Sequence, residues 1–253
     1  MLKLEGVAKA FGSNQVLRGM DLEVRDGETL TIIGGSGTGK SVTLKILTGL
    51  LAPDRGRVWV DNLEISRLSE DQLQPAQKKF GFLFQGAALF DSLTVAENIL
   101  FGVRNLRPDL MKDSRRLVDR SLSLVGLKSE VAGLKPAELS GGMKKRVGLA
   151  RAIAHEPQYV MYDEPTTGLD PIMSDVINDL ILSVREKLNV TSLVVTHDMK
   201  SAYKVSNRIA MIYEGRIVAV GTPAEFQNSS DPLVHQFVTG SSQGPIQMPV
   251  RAF

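Results

Sequence analysis

The most informative part of the sequence is residues 30–41, which read Leu30-Thr31-Ile32-Ile33-Gly34-Gly35-Ser36-Gly37-Thr38-Gly39-Lys40-Ser41. The first four residues predict a buried strand, and residues 34–41 match the pattern G-x-x-x-x-G-K-[ST]. A helix is predicted from about Lys40 to Leu50, with Gly49 and Pro53 ending it. A glycine-rich loop between a strand and a helix points backbone N–H groups at phosphate. We therefore predict a phosphate-binding loop, the alternative being a plain glycine-rich turn.

This loop and the first turn of the helix have predicted roles in binding a nucleotide and its metal ion. Lys40 can reach the β- and γ-phosphates, which also makes it a candidate catalytic residue, and Ser41 can ligate Mg²⁺. The predicted nucleotide-binding positions are Gly35, Ser36, Gly37, Thr38, Gly39, Lys40, Ser41 and Thr43.

Two carboxylates follow a second apolar strand, Tyr159 to Tyr162. In open parallel sheets ligands lie at the carboxyl ends of the strands, so this strand end and the phosphate-binding loop can meet at one edge. Asp163 is then predicted to hold Mg²⁺ through water, and Glu164 to orient or deprotonate the attacking water. The alternative is a solvated acidic turn before Pro165.

One of the three histidines has a comparable position. His197 follows the apolar strand that begins at Ser192, so it is predicted to lie at the same sheet edge and to donate to the γ-phosphate. The alternative is a structural hydrogen bond. His155 and His235 have no such context, and we assign them no role.

A second anion site is predicted where Leu139-Ser140-Gly141-Gly142-Met143 precedes a helical run that ends near residue 156. Ser140 is a good N-cap residue, and Gly141 and Gly142 leave backbone N–H groups accessible at the helix start. One chain with one phosphate-binding loop has no obvious use for two such sites. We therefore expect this site to close over nucleotide bound by a second copy, although a plain capped helix start is the alternative.

The order of these motifs resembles that of ABC-type ATPases over nearly the whole chain. The resembling segments are the Walker A loop at 34–41, Ser140-Gly141-Gly142, the Walker B strand at 159–164, Gly168-Leu169-Asp170 and His197. The resemblance implies an α/β fold of the P-loop NTPase type, an ABC-type nucleotide-binding domain with a RecA-like core and a helical subdomain. It also implies a head-to-tail dimer with two ATP molecules between the copies. The expected boundaries are 1–86 and 159–239 for the core, 87–158 for the helical subdomain and 240–253 for a C-terminal tail.

Further roles are implied only by this resemblance. Gln85 is expected to link Mg²⁺ and the attacking water to a partner protein, which makes it both a metal ligand and a catalytic residue. Asp170 is expected in a loop that crosses the dimer interface and contacts nucleotide. Phe11 stands where the family usually has a tyrosine that stacks on adenine, with core packing as the alternative. Met143 replaces the usual glutamine of the signature, which leaves the backbone anion site in place.

Three longer segments resemble the ATPase subunit of Mla/MCE-type phospholipid transporters. They are residues 86–95, 139–146 and 163–172. This resemblance implies an integral membrane permease and an MCE lipid-binding protein, and members of this group can also carry a small STAS-domain subunit. It further implies movement of phospholipids between envelope membranes, with this chain peripheral at the cytoplasmic face of the inner membrane.

Composition agrees with an ordinary globular protein. The chain has 253 residues, 30 Lys plus Arg, 28 Asp plus Glu, a net charge of +2 and no cysteine. The absence of cysteine rules out disulfides and cysteine-ligated metal sites. The nearly balanced charge does not suggest nucleic acid as a partner. The N-terminus lacks an apolar signal region, and no apolar run approaches the ~18 residues of a membrane helix.

Three alternatives to a phospholipid transporter remain open at this point. An ATPase subunit of an importer for amino acids or another small solute would share every catalytic motif. The second alternative is a non-transport ABC ATPase, and the third is a regulatory module without catalysis.

Phe90 and Phe101 are candidates for a groove that receives the permease, or for packing inside the helical subdomain. The tail carries apolar residues that can dock on the neighbouring copy or form a disordered tail: Ile246, Met248, Val250 and Phe253.

Overall fold

The computed structural model describes residues 1–247, which contain ten strands in two sheets and nine helices. The larger sheet has six strands in the order β10-β9-β3-β8-β7-β6, all parallel except β10. Its strands are β3 (Thr29–Ile33), β6 (Phe80–Leu83), β7 (Tyr159–Asp163), β8 (Thr191–Val195), β9 (Arg208–Tyr213) and β10 (Arg216–Gly221).

The smaller sheet has four antiparallel strands in the order β2-β1-β4-β5. Its long first two strands form a hairpin in which Leu2 pairs with Val24 and Phe11 with Asn14. The strands are β1 (Leu2–Phe11), β2 (Asn14–Val24), β4 (Arg55–Val60) and β5 (Leu63–Glu64).

The helices fall into three stretches of the chain. Near the first half of the sheets lie α1 (Lys40–Leu47) and α2 (Glu70–Gln77). Between β6 and β7 come α3 (Val95–Leu106), α4 (Ser114–Leu124) and α5 (Gly141–Ile153), with 3₁₀ turns at Pro108–Asp113, Ser129–Gly133 and Pro136–Glu138. The last group is α6 (Pro171–Leu188), α7 (Met199–Val205), α8 (Pro223–Gln227) and α9 (Pro232–Thr239). Within residues 1–247, no helix is both long and apolar enough to span a bilayer.

The central strands β3, β8 and β7 of the six-stranded sheet are buried on both faces. Successive residues of β7 alternate between two hydrophobic clusters, because side chains along a strand point to opposite faces. Tyr159 and Met161 pack toward α1 and the antiparallel sheet, whereas Val160 and Tyr162 pack toward helices α3 to α6. A strand buried on both faces reads as a continuous apolar run, which is why the sequence revealed it.

The predicted strands and the first helix are present, but with different ends. The helix that starts at Lys40 stops at Leu47 rather than Leu50, because Gly49 has a left-handed φ of 69°. Strand β4 ends at Val60, and Asp61 turns the chain there with a φ of 54°. Phe84 lies beyond the end of β6, and of Phe80, Phe82 and Phe84 only Phe80 is buried.

The parallel strands bring their carboxyl ends to one edge. Asp163, the last residue of β7, pairs with Val195, the last residue of β8. The neighbouring strands β3 and β6 end within one residue of this level, at Ile33 and Leu83. The segments that follow these four strands therefore lie side by side, as the sequence predicts.

Candidate functional site

A cavity of about 620 Å³ lies at this edge of the sheet. The phosphate-binding loop and the segments after β6, β7 and β8 each contribute to its walls, and β1 and β2 close one side. Its lining residues are Phe11, Val16, Ser36, Gly37, Gly39, Lys40, Ser41, Val42, Gln85, Glu164 and His197.

The ammonium group of Lys40 lies inside the phosphate-binding loop. Its Nζ donates to the backbone oxygen of Gly34 at 2.8 Å and of Gly35 at 2.9 Å, and only 8% of the residue is exposed. Burial lowers the pKa of Lys40, and the nearby charges of Glu164 and Asp163 oppose that effect. A phosphate is a stronger acceptor for this ammonium than two neutral carbonyls. Lys40 is thus placed to transfer its hydrogen bonds to a bound phosphate.

Ser41 and Asp163 form a pair of oxygen donors beside Lys40. The Ser41 hydroxyl donates to Asp163 Oδ1 at 2.9 Å. Burial raises the pKa of the Asp163 carboxyl, and the hydrogen bond from Ser41 opposes that shift. Hydroxyl, carboxylate and amide oxygens are the ligands that Mg²⁺ prefers, and Mg²⁺ usually shares its shell with water and phosphate. The chemistry of Ser41, Asp163 and the exposed Gln85 therefore fits the predicted metal ion.

The carboxylate of Glu164 has three polar neighbours at one of its oxygens. His197 Nδ1 lies 2.9 Å from Glu164 Oε2, and the hydroxyls of Thr167 and Thr196 lie at 3.1 and 3.4 Å from the same atom. Glu164 itself is buried, whereas 63% of the His197 side chain is exposed to the cavity and solvent. The sequence predicted the proximity of Glu164 and His197 but gave no role to either threonine. The only sequence feature that could have indicated them is that Thr167 and Thr196 lie shortly after the apolar strands β7 and β8.

Phe11 lies at the mouth of the cavity, at the end of β1. Half of its surface is exposed, and Lys9 Nζ lies 5.7 Å from its ring centroid. An exposed ring on the cavity wall can stack on a nucleotide base. The alternative that Phe11 is part of the core does not agree with this exposure.

Thr43 requires a correction. We expected it among the nucleotide-binding positions, but it is fully buried in α1. Its hydroxyl donates to the Gly39 carbonyl at 2.9 Å and lies 3.6 Å from Met20 Sδ. The neighbouring Val42 lines the cavity instead. The two side chains differ because adjacent residues of a helix point about 100° apart, which the motif spacing alone did not reveal.

The second anion site does not line the cavity of its own chain. Ser140 is exposed and caps α5, its Oγ accepting from Met143 N at 3.2 Å. Gly141 is exposed and Gly142 is buried. Asp170 caps α6, its Oδ1 accepting from Ile172 N at 3.0 Å and from Met173 N at 2.9 Å.

The C-terminal segment folds back beside the loop. A neighbouring cavity of about 680 Å³ lies between Gly35, His197 and residues 236–247. The side chain of Gln236 pairs with the backbone of Ile246, which packs on the same chain. The other apolar residues named in the tail, Met248, Val250 and Phe253, lie outside the described residues.

Two basic residues of α5 to which the sequence assigned no role bind the backbone of segments that adjoin this site. Lys145 is 5% exposed, and its Nζ donates to the backbone oxygens of Gln85 and Glu164, the latter at 3.2 Å. Arg151 donates to the backbone oxygens of Ala88 at 2.6 Å and Ala87 at 2.7 Å. Burial lowers the pKa of Lys145, and the charges of Glu164 and Asp163 oppose that shift.

Residues 17–167 match the family model described as ABC transporter. The chain belongs to the ABC transporter family. The ATP-binding cassette MJ0796, solved as a dimer in a post-hydrolysis state with ADP and Pi, is 32% identical with a TM-score of 0.78. That alignment covers 88% of this chain and 99% of the cassette. The predicted ABC-type α/β fold, ATP binding and ATP hydrolysis are thereby confirmed.

Curated relatives of the ATPase have several described cargoes. Protein TRIGALACTOSYLDIACYLGLYCEROL 3 of Arabidopsis thaliana is 42% identical, over 98% of this chain and 76% of that protein. The intermembrane phospholipid transport system ATP-binding protein MlaF of Haemophilus influenzae is 37% identical, over 98% of this chain and 93% of MlaF. The probable ribonucleotide transport ATP-binding protein mkl of Mycobacterium leprae is 37% identical, over 98% and 71%. A methionine import ATP-binding protein, MetN 2 of Listeria monocytogenes, is 39% identical, over 94% and 71%.

Proposed function

We propose that this ATPase is the energy-coupling subunit of an ABC transporter that moves phospholipids between envelope membranes. The similarity to MlaF supports the lipid cargo, because it extends over 98% of this chain and 93% of MlaF. The segments 86–95, 139–146 and 163–172 resemble that subfamily and support the same assignment. The observation that carries the mechanism is the meeting of Lys40, Glu164 and His197 in one cavity.

Hydrolysis in this site needs positioning more than covalent chemistry. Lys40 binds the β- and γ-phosphates, and His197 donates to the γ-phosphate. Glu164 orients water for in-line attack and accepts its proton. Ser41, Asp163 and Gln85 would hold Mg²⁺, which neutralises charge on the phosphates when bound. Phe11 stacks on adenine, and the remaining loop positions present backbone N–H groups to phosphate.

The working unit in this proposal is a head-to-tail dimer. Ser140, Gly141, Gly142 and Asp170 lie outside the cavity of their own chain, and Ser140, Gly141 and Asp170 are exposed. An exposed helix N-terminus with accessible N–H groups binds anions, so these residues can close over the γ-phosphate in a second copy. Residues 1–86 and 159–239 would form the core of each copy, and residues 87–158 would form the helical subdomain that carries this surface.

The proposed contact with the permease lies beside the site. Phe90 and Phe101 pack together with ring centroids 4.3 Å apart, and 42% and 48% of their surfaces are exposed. Asn98 is fully buried and makes hydrogen bonds with both the N–H and the carbonyl of Phe90, at 2.8 and 3.1 Å. The exposed aromatic pair is therefore presented on an ordered backbone, which suits an apolar partner. We place the chain at the cytoplasmic face of the inner membrane, with an MCE protein as an indirect partner through the permease.

The alternative cargo is an amino acid or another small solute. MetN 2 of Listeria monocytogenes supports it at 39% identity, but over 71% of that protein, against 93% for MlaF. Nothing in the catalytic cavity distinguishes the two cargoes, because it binds ATP in both.

Purification of the intact complex tests the function. The chain is tagged at its native level, membranes are solubilised mildly, and co-purifying proteins and lipids are identified by mass spectrometry. We expect an MCE-type permease with bound phospholipid, and loss of that permease on Phe90→Asp, with Leu50→Asp, another exposed apolar side chain, as the matched control. Recovery of an amino-acid permease would overturn the cargo and keep the ATPase mechanism. Recovery of no membrane protein, beside a control transporter that stays intact, would contradict the transport function.

A further inference from the structure

We propose that Lys145 is a positioning residue for ATP hydrolysis, whose ammonium group joins the backbone of Gln85 to the backbone of Glu164. The residue thereby couples helix α5, which begins at the second anion site, to the two segments assigned to water and metal binding. This inference rests on the roles proposed for Gln85 and Glu164.

The contacts of Lys145 are those of a buried structural cation. Its Nζ donates to the backbone oxygens of Gln85 and Glu164, two residues 79 positions apart in the sequence but adjacent in space. Only 5% of the residue is exposed. A buried ammonium must find acceptors, and hydrogen bonds from a charged donor are stronger than those between neutral groups. The side chain is therefore fixed to both segments rather than solvated.

The hydrogen bond from Lys145 is one of two that hold the backbone of Glu164. Glu164 has a left-handed φ of 49°, which is uncommon outside glycine. Its N–H donates to Val195 O at 2.9 Å, and its carbonyl accepts from Lys145 at 3.2 Å. The carbonyl and the carboxylate side chain share the Cα atom of Glu164. A change in the bond from Lys145 therefore changes the direction of the carboxylate.

The segment after Gln85 is joined to the same helix over several residues. Arg151 donates to the carbonyls of Ala87 and Ala88, whose left-handed φ values of 60° and 47° turn the chain at this point. Gly148 allows the close approach, since a Cβ there would lie 2.9 Å from the Leu83 side chain and 3.1 Å from that of Ala87. The turn 85–88 thus moves with α5.

The position of Lys145 on α5 links the helix start at residues 140–142 to the contacts with Gln85 and Glu164. Gly141, the first residue of α5, precedes Lys145 by one turn of the helix, about 6 Å. Closure of a second copy over residues 140–142 would therefore act on Lys145 through a rigid helical turn. A shift of α5 would then alter the separation of Gln85 and Glu164, so that hydrolysis depends on the docked state of the helix.

The test compares two lysine substitutions on the same helix. Lys145→Met removes the donor and keeps an unbranched apolar stem, and Lys144→Met is the matched control, because the Lys144 side chain has no hydrogen-bond partner within residues 1–247. We expect Lys145→Met to lower kcat about 10- to 100-fold, as misplacement of reacting groups does, with KM and ATP affinity within about threefold of wild type. Backbone amide exchange in residues 85–88 of the nucleotide-free protein should rise in Lys145→Met and not in Lys144→Met.

Two further variants at the same position test whether a charged donor is required. Lys145→Arg retains a charged donor that can serve both carbonyls and should restore most of kcat, whereas Lys145→Gln should not. The proposal is overturned if Lys145→Met, or Lys145→Gln where the methionine variant does not fold, matches Lys144→Met in kcat and exchange. An equal loss of ATP affinity and kcat would also overturn it. Near-normal turnover of Glu164→Gln would instead contradict the role of Glu164, and the exchange measurement would then still report on Lys145.

Discussion

At the scale of single residues, the contacts of Glu164 suit the general-base role that we propose for it. His197, Thr167 and Thr196 all contact the same oxygen, Oε2. Among the described residues, none donates a hydrogen bond to Oε1, so this second oxygen is available to accept a hydrogen bond from water in the cavity. Two threonine hydroxyls donate to Oε2 and His197 lies beside it, so the orientation of the carboxylate is fixed. A fixed orientation toward water is the geometric requirement for general-base catalysis.

The first prediction concerns this base. Glu164→Gln keeps the shape and the acceptor oxygen but cannot take a proton. We expect hydrolysis to slow by roughly 10²- to 10⁴-fold while ATP still binds. Single-turnover hydrolysis and equilibrium ATP binding measure the two effects separately. Turnover close to that of the wild type would exclude Glu164 as the general base.

At the scale of elements, the packing of α5 on β6 depends on Gly81 of the strand as well as on Gly148 of the helix. A Cβ on Gly81 would lie 2.1 Å from the backbone oxygen of Ala152 in α5. Because this neighbour is backbone rather than a flexible side chain, the helix itself would have to move. Strand β6, which precedes Gln85, and helix α5, which carries Lys145, are therefore in direct backbone contact.

The second prediction tests this contact. Gly81→Ala should lower the free energy of unfolding by at least about 1–3 kcal/mol, the usual cost of overpacking. Gly102→Ala is the control, because that helical glycine has ordinary space, 3.7 Å to a Leu106 methyl, and should gain about 0.5–1 kcal/mol. Urea unfolding of both variants measures the difference. Equal stability of the two variants would contradict the close approach of α5 and β6.

A polar cluster joins the two sheets. The Asp61 carboxylate, which follows β4, accepts from Lys79 Nζ at 2.6 Å and from the hydroxyl of Tyr159 in β7. Burial by itself raises the pKa of Asp61, but hydrogen bonds from Lys79, Tyr159 and the Met1 amino group outweigh it and lower the pKa well below its ordinary value. Ionised Asp61 is therefore bound more favourably in the folded state than in the unfolded state.

The third prediction follows from the sign of this shift. A carboxyl with a lowered folded pKa adds stability above its unfolded pKa of about 3.9, and that stability is lost as the pH falls below this value. Asp61→Asn should cost about 1–2 kcal/mol of unfolding free energy at pH 7, and the difference from wild type should shrink as the pH falls below about 4. Urea unfolding across this pH range is the measurement. A difference that grows on acidification would contradict the assignment.

At the scale of the whole molecule, the proposed dimer divides each of its two sites between two copies of the chain. The cavity with Lys40 and the exposed helix start at Ser140 are separate surfaces of the same chain. Two copies related by twofold symmetry would bring each cavity against the helix start of the other copy, an isologous arrangement that closes without further partners.

The fourth prediction tests action between copies. Lys40→Ala and Ser140→Arg each inactivate a homodimer, but a mixed dimer has one interface with both lesions and one with neither. Mixing the two variants should restore up to about a quarter of wild-type turnover, since half of randomly paired dimers are mixed and each keeps one site. ATPase assays on the mixture, with mixed dimers verified by two different tags, measure this rescue. Verified mixed dimers without rescue would contradict shared sites.

Much of the site could be predicted because its parts are local in sequence. The phosphate-binding loop, the capping residue Ser140 and the carboxylates after β7 each depend on a few consecutive residues. A backbone turn before a helix directs its N–H groups by its own geometry, whatever the rest of the chain does. The apolar runs of the parallel strands then place Asp163 and His197 at the same edge as the loop, because parallel strands end together.

The tertiary structure alone decided which side chains face the site and which are buried. Thr43, expected at the nucleotide, is buried, and Val42 lines the cavity instead. Lys145, in a run of basic residues, is a buried bridge between Gln85 and Glu164. The reason is physical: the burial of a side chain and the partners of a buried charge depend on segments far away in the sequence. A local pattern determines the direction of the backbone, whereas the environment of a side chain is determined by everything that packs against it.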